Sequence, residues 1–356
     1  LTKKNTVTSV AVLCFVVAIG VAAAFFGYQL LLKPVGNSRT EIIVEVPPGQ
    51  SFTQTAYELQ NKKLIRNAKV FHWYARIRGW AGKIKVGEYG LNQSMTPDEI
   101  IAILVSGKSL ARSITIAEGL NIFDIAAEFE RQNICTQKEF LAIVEDKAFI
   151  QSLLGENLAS LEGYLYPETY KYTKYEGAKA IVTAMVKRFL TVWNDQLAAE
   201  TGKLKWPRNQ IVTLASIIEK ETGAEFERPL ISSVFHNRIQ KRMRLQTDPT
   251  VLYGVALRDR KMPTNITKND LLTPTAYNTY TIDSLPPAPI ANPGKEALLA
   301  ALNPATSKYL FFVSQNNGTH VFSETVQQHN KAVQQYQLNA KARENKSWRD
   351  LKQSKK

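Results

Sequence analysis

The stretch Leu214-Ala215-Ser216-Ile217-Ile218-Glu219-Lys220-Glu221-Thr222-Gly223 joins an apolar run to two carboxylates. A carboxyl held at the edge of an apolar surface can keep its proton near neutral pH and give it to a leaving oxygen, the task of a general acid. The element that must position it reads as a helix. Pro207 lies near its start, and Gly223 is placed to stop it. Ile211, Leu214, Ala215 and Ile218 follow the i, i+3, i+4, i+7 spacing of a core-facing stripe. At about 100° per residue, Glu219 falls between Ala215 and Val212, at the edge of that stripe. The negative end of the helix dipole lies close by. Burial and a negative field both disfavour the ionised form, so the carboxyl is expected to hold its proton more tightly than in water. Glu-Lys-Glu at a helix end is equally the pattern of a solvated terminus, and Glu221 lies at the other edge of the stripe. Periodicity alone makes Glu219 a candidate.

The helix has company. Before it stands Leu161-Glu162-Gly163-Tyr164-Leu165-Tyr166-Pro167-Glu168-Thr169-Tyr170, and after it Val234-Phe235-His236-Asn237-Arg238. Then follow Leu245-Gln246-Thr247-Asp248-Pro249-Thr250-Val251 and Tyr277-Asn278-Thr279-Tyr280. Leu285-Pro286-Pro287-Ala288-Pro289-Ile290, Asn292-Pro293-Gly294 and Ala301-Leu302-Asn303-Pro304 complete the series. In this order, across most of Ser160 to Asn330, these segments resemble the endolytic murein transglycosylases of the bacterial cell wall, the MltG/YceG-like family. Departures from the family pattern are slight and fall at Tyr166 and Glu168. The resemblance implies that Glu219 is the essential catalytic residue. It also implies a reaction. Glu219 protonates the glycosidic oxygen between N-acetylmuramic acid and N-acetylglucosamine, then takes the proton of the muramoyl C6 hydroxyl as that oxygen closes on C1. The product is a 1,6-anhydro end. No water is consumed, so the second carboxylate of an ordinary glycosidase is not obligatory.

Other groups are candidates for support. Glu162 either orients Glu219 or binds substrate, and equally could anchor a loop. Thr273 to Pro293 is too rich in proline for regular helix and reads as an ordered loop lining a cleft. Gln246, Asp248, Asn278 and Thr279 suit hydrogen bonds to sugar hydroxyls and acetamido groups; Tyr164, Tyr166 and Tyr253 suit packing on sugar faces. Each is also a plausible turn or capping residue, Asp248-Pro249 especially. Tyr309 to Ser314 and Thr319 to Ser323 read as a hairpin around Asn316-Asn317-Gly318, with His320 in a structural place. The four histidines (His72, His236, His320, His329) are scattered, neither Cys14 nor Cys135 has metal-ligand spacing, and HExxH and CxxC are absent. No metal and no nucleotide cofactor are expected.

The N-terminus points to a compartment. No charge interrupts Asn5 to Leu32, and Val10 to Leu32 is almost wholly apolar, enough for the roughly 20 residues that a bilayer span requires. Lys3 and Lys4 precede it, which sends the remainder outward. A cleavage site at Ala22-Ala23-Ala24 is the competing reading, but Phe25-Phe26 and Leu30-Leu31-Leu32 continue the run past it and favour an uncut anchor. Cys14 and Cys135 cannot sensibly pair, so the exported part is expected to fold without a disulfide.

Two stretches align without gaps. Val44-Glu45-Val46-Pro47-Pro48-Gly49-Gln50-Ser51-Phe52 matches Ile114-Thr115-Ile116-Ala117-Glu118-Gly119-Leu120-Asn121-Ile122. Each predicts a short strand, a glycine turn, an N-cap (Ser51, Asn121) and an amphipathic helix. A second short helix is predicted after each, around Lys69 to Arg78 and Gln137 to Val144. The first copy resembles a LysM-like module, which implies binding of glycan strands. Strand-turn-helix is also a common packing unit. Trp73, Tyr74 and Trp80 could stack on sugars or belong to a core.

Net charge is +14, from 45 basic and 31 acidic residues. An anchored, exported chain argues against nucleic acid and for anionic lipid and the acidic wall polymer. Lys341, Arg343, Lys346, Arg349, Lys352, Lys355 and Lys356 surround Trp348 in a tail that reads as solvated. The expected architecture is α+β: a cytoplasmic tail (1–8), a single N-terminal transmembrane helix (9–32), a linker (33–40), a LysM-like βα module (41–110), a second such repeat or connector (111–157), a mixed α+β catalytic domain (158–335) and the basic tail (336–356). The resemblance implies an inner-membrane protein with its catalytic domain in the periplasm. It also implies glycan strands as substrate, nascent-strand cleavage that limits their length, and cell-wall synthases (penicillin-binding proteins) as partners. Two other classes stay open on residues alone. A non-catalytic peptidoglycan-binding scaffold would tolerate loss of Glu219, and a muramidase would add a second carboxylate, Glu162 or Asp248.

Overall fold

The structure is a computed structural model that describes residues 15–20, 22, 26–27, 29–30, 32–202 and 204–339. Among the described residues no helix is long and apolar enough to cross a membrane. Much of the expected span 9–32, the tail 1–8 and all but the first residues of the basic tail lie outside them. The chain forms two compact units. One holds the residues up to Arg112 together with Lys171–Glu176; the other holds Ser113–Tyr170 and the chain from Gly177.

In the first unit, strand β1 (Ile42–Val46) is followed by helices α1 (Phe52–Asn61) and α2 (Ala68–Ile77), then by strand β2 (Gly87–Leu91) and helix α3 (Pro97–Ser106). β1 and β2 pair antiparallel, with Val44 opposite Tyr89. Side chains alternate along β1, so Val44 and Val46 point into the core and Ile43 points out. Helix starts are written locally. Ser51 caps α1 in a reciprocal box with Gln54, and Thr96 caps α3 with Glu99. Leu59, Leu64, Leu91, Ile100 and Leu104 fill the space between sheet and helices, each worth roughly 1.5–3 kcal/mol of burial. Tyr74 is in this core with its edge on Trp80, while Trp73 is 63 % exposed.

The second unit is mostly helical. Strands β3 (Arg112–Thr115) and β4 (Thr169–Tyr172) pair, and Ser113–Thr115 and Thr169–Tyr170 of them belong to this unit. Between them lie α4 (Ile122–Arg131), α5 (Gln137–Val144) and α6 (Lys147–Leu154). Asn121 caps α4 in a box with Asp124, and Thr136 caps α5 with Glu139. After β4 come α7 (Gly177–Gln196), the short α8 (Ala198–Thr201), α9 (Arg208–Glu221), α10 (Arg228–Gln240), α11 (Asp248–Asp259), the short α12 (Lys268–Leu272) and α13 (Lys295–Leu302). The hairpin of β5 (Phe311–Ser314) and β6 (His320–Ser323), then α14 (Val326–Val333) and a π-helical turn (Gln334–Leu338), follow.

α9 is the central element, packed against α13, α10 and α11. Every residue from Ile211 to Ile218 is buried. The periodicity predicts one apolar stripe; the helix is instead enclosed all round, because Thr213 and Ser216 turn their hydroxyls onto carbonyls of Asn209 and Thr213 at 2.7 Å and so bury without loss. Gly163, at φ +87°, is pressed against this helix. A Cβ there would stand 2.5 Å from Cγ of Pro289 and 2.8 Å from Cγ1 of Val212, so only glycine fits.

Candidate active site

α9 carries Glu219 out of its fully buried stretch by one residue. The side chain is 8 % exposed. Its Oε2 accepts the backbone N–H of Gly294 at 3.1 Å. Gly294 is the residue just before α13, so the positive end of that helix faces the carboxyl group. Oε1 lies 3.5 Å from Nη2 of Arg228, at the start of α10. The same Nη2 stands 3.8 Å from Oε2 of Glu118, a side chain that is 49 % exposed. Glu118 rests on Gly294, where a Cβ would come within 1.9 Å of Glu118 Oε1. Burial first, and the charge of Glu219 next, push the Glu118 carboxyl above the ordinary carboxylate range, with Arg228 opposing them. Arg228 is itself buried, and its Nε has no hydrogen-bond partner.

Glu162 builds the floor. It is buried, its Oε2 accepts from the N–H of Ile122 and its Oε1 from Nδ2 of Asn292, both at 2.9 Å. Burial pushes its carboxyl up to about 8, against hydrogen bonds from Ile122 and Tyr253. Asn292 also donates to the carbonyl of Leu120 at 2.9 Å and accepts from the N–H of Leu165 at 2.8 Å. Glu162 and Asn292 together tie the backbone around residues 120–122, 165 and 292.

A second polar cluster surrounds the end of α9. Thr247 Oγ1 donates to Glu221, whose carboxyl is pushed up by burial, with the charge of Asp248 adding to it. Asp248 is exposed and accepts from the Tyr280 hydroxyl at 2.7 Å. Gln246 is exposed beside it and adopts φ +50°. These two polar candidates reach solvent.

Most of the other candidates lie in the interior. Asn278 is fully buried and spends its amide on the carbonyls of Thr273, Leu271 and Asp270 at 2.8, 3.0 and 3.2 Å. Thr279 is buried too; its Oγ1 accepts from the N–H of Thr247 at 3.0 Å. Tyr164 is 0 % exposed and meets Phe189 edge-on at 4.9 Å. Tyr253 is buried against Tyr277 at 5.2 Å. Rings without a free face cannot stack on a sugar. Tyr166 is half-buried beneath the guanidinium of Arg188. Among the described residues no group of three or more His, Cys, Asp or Glu is arranged to hold a metal ion.

Sequence reasoning passed over Glu118, Arg228 and Gly294 as functional groups. Asn292-Pro293-Gly294 was legible as a motif, and Glu118 sits in the turn of the second repeat. Arg228 carries no local signal, since only the meeting of α9 and α10 gives it a partner.

The YceG-like family model matches residues 44–335 of the chain. An endolytic murein transglycosylase of Bacillus subtilis (strain 168) is 35 % identical over 332 residues, which is 89 % of this chain and 91 % of that protein. An endolytic murein transglycosylase of Streptococcus pneumoniae (serotype 2, strain D39) is 26 % identical over 353 residues, 88 % of this chain and 62 % of that protein. The crystal structure of a yceG-like protein from Listeria monocytogenes superposes with a TM-score of 0.56 at 34 % identity, over 83 % of this chain and all of that one. With a family model spanning most of the sequence, and relatives above 30 % identity along nearly its whole length, the chain belongs to the YceG-like family.

Proposed function

We propose that the chain is an endolytic murein transglycosylase in which Glu219 is the acid and then the base. The enzyme acts on peptidoglycan glycan strands in the cell envelope, as the names of its relatives indicate. The Glu219 carboxyl gives its proton to the oxygen linking C1 of N-acetylmuramic acid to N-acetylglucosamine. The C1–O bond breaks with its electron pair going to that oxygen, which leaves as a hydroxyl. Glu219, now a carboxylate, takes the proton of the C6 hydroxyl while that oxygen bonds to C1. The acid is regenerated and water is not used.

The observation that carries this reading is the setting of Glu219. It is a nearly buried carboxyl with one oxygen on a backbone amide at a helix start and the other beside a guanidinium. Both neighbours are suited to holding the carboxylate that exists between the two proton transfers. Glu162 and Asn292 set the loops around it, and Gln246 and Asp248 offer exposed polar groups to sugar hydroxyls.

The finer architecture belongs to the same proposal. The apolar stretch 9–32 anchors the chain in the inner membrane with a cytoplasmic N-terminus and a periplasmic catalytic domain over 158–335. In its support, residues 15–20 are helical, and Phe15, Val16, Val17 and Ile19 are exposed. The module 41–110 is LysM-like and holds the glycan. Its strand-helix-helix-strand order and the exposed Trp73 favour this. Cell-wall synthases are the proposed partners, placed beside the emerging strand by that anchor.

The test is mass spectrometry of products from purified glycan strands, with the wild type and Glu219→Gln. Internal fragments with 1,6-anhydro ends, absent with the variant, are expected. Reducing ends from the wild type would make it a hydrolase instead, and binding without cleavage by either protein would make it a scaffold.

A further inference from the structure

The turn Ala117-Glu118-Gly119 takes no part in the two proton transfers, yet it reaches Glu219. The chain contains its own control for that turn. Pro47-Pro48-Gly49 is the matching turn of the first repeat, with φ +81° at Gly49 against +76° at Gly119. Each turn leads into a helix capped by a side chain, Ser51 or Asn121. Pro48 stands where the second repeat has Glu118. The turn therefore forms without a carboxylate at that position.

The Glu118 carboxylate instead faces Arg228 Nη2 at 3.8 Å, the same nitrogen that stands 3.5 Å from Glu219. Both separations exceed an ordinary N–H···O hydrogen bond, and Arg228 Nε has no partner. The guanidinium is thus clamped to neither carboxylate. The turn that presents Glu118 is held firmly: the Gly119 N–H donates to the Asn292 carbonyl at 2.9 Å, and Lys220 Nζ donates to the Gly119 carbonyl at 3.1 Å. A Cβ on Gly119 would already touch Glu219 Cγ at 3.5 Å. Gly294, lacking a side chain, leaves the space that Glu118 occupies. Glu225 and Glu296 add negative charge around Glu118, and the Lys220 ammonium stands on the carbonyl of the neighbouring Gly119.

We propose that Glu118 is a positioning residue for the Glu219 reaction, acting through the guanidinium of Arg228 that the two carboxylates share. While Glu219 holds its proton, Arg228 balances Glu118; when Glu219 gives the proton up, the same guanidinium turns its charge to the new carboxylate. Without Glu118, the guanidinium would have Glu219 as its one carboxylate neighbour in this pair and would face it throughout the reaction. The second repeat thereby contributes to the catalytic centre. This inference rests on the acid–base role proposed for Glu219.

The experiment compares wild type, Glu118→Gln, Arg228→Gln and the double variant on purified glycan strands. Formation of 1,6-anhydro ends is followed from about pH 5 to 9, and thermal unfolding is recorded for each protein. Glu118→Gln is expected to move the alkaline limb of kcat/KM down by about one unit, a roughly tenfold loss above neutrality, with the melting temperature nearly unchanged. In the Arg228→Gln background the same substitution should move the limb far less. A Glu118→Gln profile that superimposes on the wild type overturns the inference, as does one lowered equally at every pH with a reduced melting temperature. Glu118 is half exposed, so its single variant decides the matter even where loss of buried Arg228 impairs folding. A wild type that yields no 1,6-anhydro ends would overturn the acid–base reading and this inference with it; an active wild type with an unshifted variant overturns this inference alone.

Discussion

The side-chain amide of Asn292 donates to the buried carboxyl of Glu162 at 2.9 Å and, from the same nitrogen, to the carbonyl of Leu120 at 2.9 Å. Its oxygen meanwhile accepts the N–H of Leu165 at 2.8 Å. One fully buried side chain thus joins three loops below Glu219. Asn292→Ala would leave several of these groups unpaired, and each unsatisfied buried group costs about 1–3 kcal/mol. A loss of roughly 2–4 kcal/mol is expected in urea unfolding of the variant, because relaxation recovers part of the sum. A change below about 1 kcal/mol would mean that the loops hold without the amide.

Glu162 makes stability depend on pH. Its carboxyl rises from 4.5 to about 8 in the folded protein, chiefly through burial. The folded state therefore binds this proton more tightly than the unfolded chain. The contribution is full below the unfolded value and is lost as pH rises through the window up to about 8. It is of the order of a few kcal/mol. Melting temperatures between about pH 5 and 8 should fall for the wild type, and the fall should be shallower for Glu162→Gln, which cannot titrate. Parallel pH dependences would remove Glu162 as the cause.

Gly294→Ala separates site geometry from backbone strain. At φ −75° and ψ 174° the position accepts any residue. A Cβ would nonetheless collide with Glu118, 1.9 Å from Oε1, next to the N–H that holds Glu219. Glu118 ends in a half-exposed carboxylate that can swing aside, so the expected result is at most about a tenfold loss of turnover, confined like that of Glu118→Gln to pH above neutrality, with a melting temperature close to that of the wild type. Full activity would show that this corner yields to a methyl group.

For Glu219 itself, replacement by Gln keeps the shape and removes the transferable proton. The rate of bond cleavage should drop by about 10²–10⁴-fold, while affinity for uncleaved strands, read by co-sedimentation, stays within about twofold. Weakened binding with little loss of cleavage rate would move the acid–base role to another group.

Much of the local structure was legible before any coordinate. Ser51 and Asn121 cap the helices that follow them, as their side chains suggest, because capping depends on neighbours three residues away. The short helices expected around Lys69 to Arg78 and Gln137 to Val144 are α2 and α5. The hairpin turns at Asn316-Asn317-Gly318, where Asn316 and Gly318 take positive φ. α9 starts and stops near Pro207 and Gly223. Its enclosure was not legible, since periodicity sees one helix and not the three that close around it. For the same reason Tyr164, Tyr253, Asn278 and Thr279 read as sugar contacts in sequence and stand in the interior. Polar and aromatic types signal chemistry and packing alike; only burial separates them. Arg228 and Glu118 were beyond sequence reasoning, because their pairing is between distant segments.

The membership of Lys171–Glu176 in the first unit has a bearing on biosynthesis. Lys174 pairs with Glu45 at 2.8 Å, and the Tyr175 hydroxyl bonds to the same carboxylate. Residues that finish the N-terminal unit are therefore translated only after β3, α4, α5 and α6 have been made. A ribosome delivers that unit incomplete and returns to it later. A fragment ending at Arg112 would carry Glu45 without either partner, so a piece meant to stand alone needs Lys171–Glu176 grafted back through a short linker.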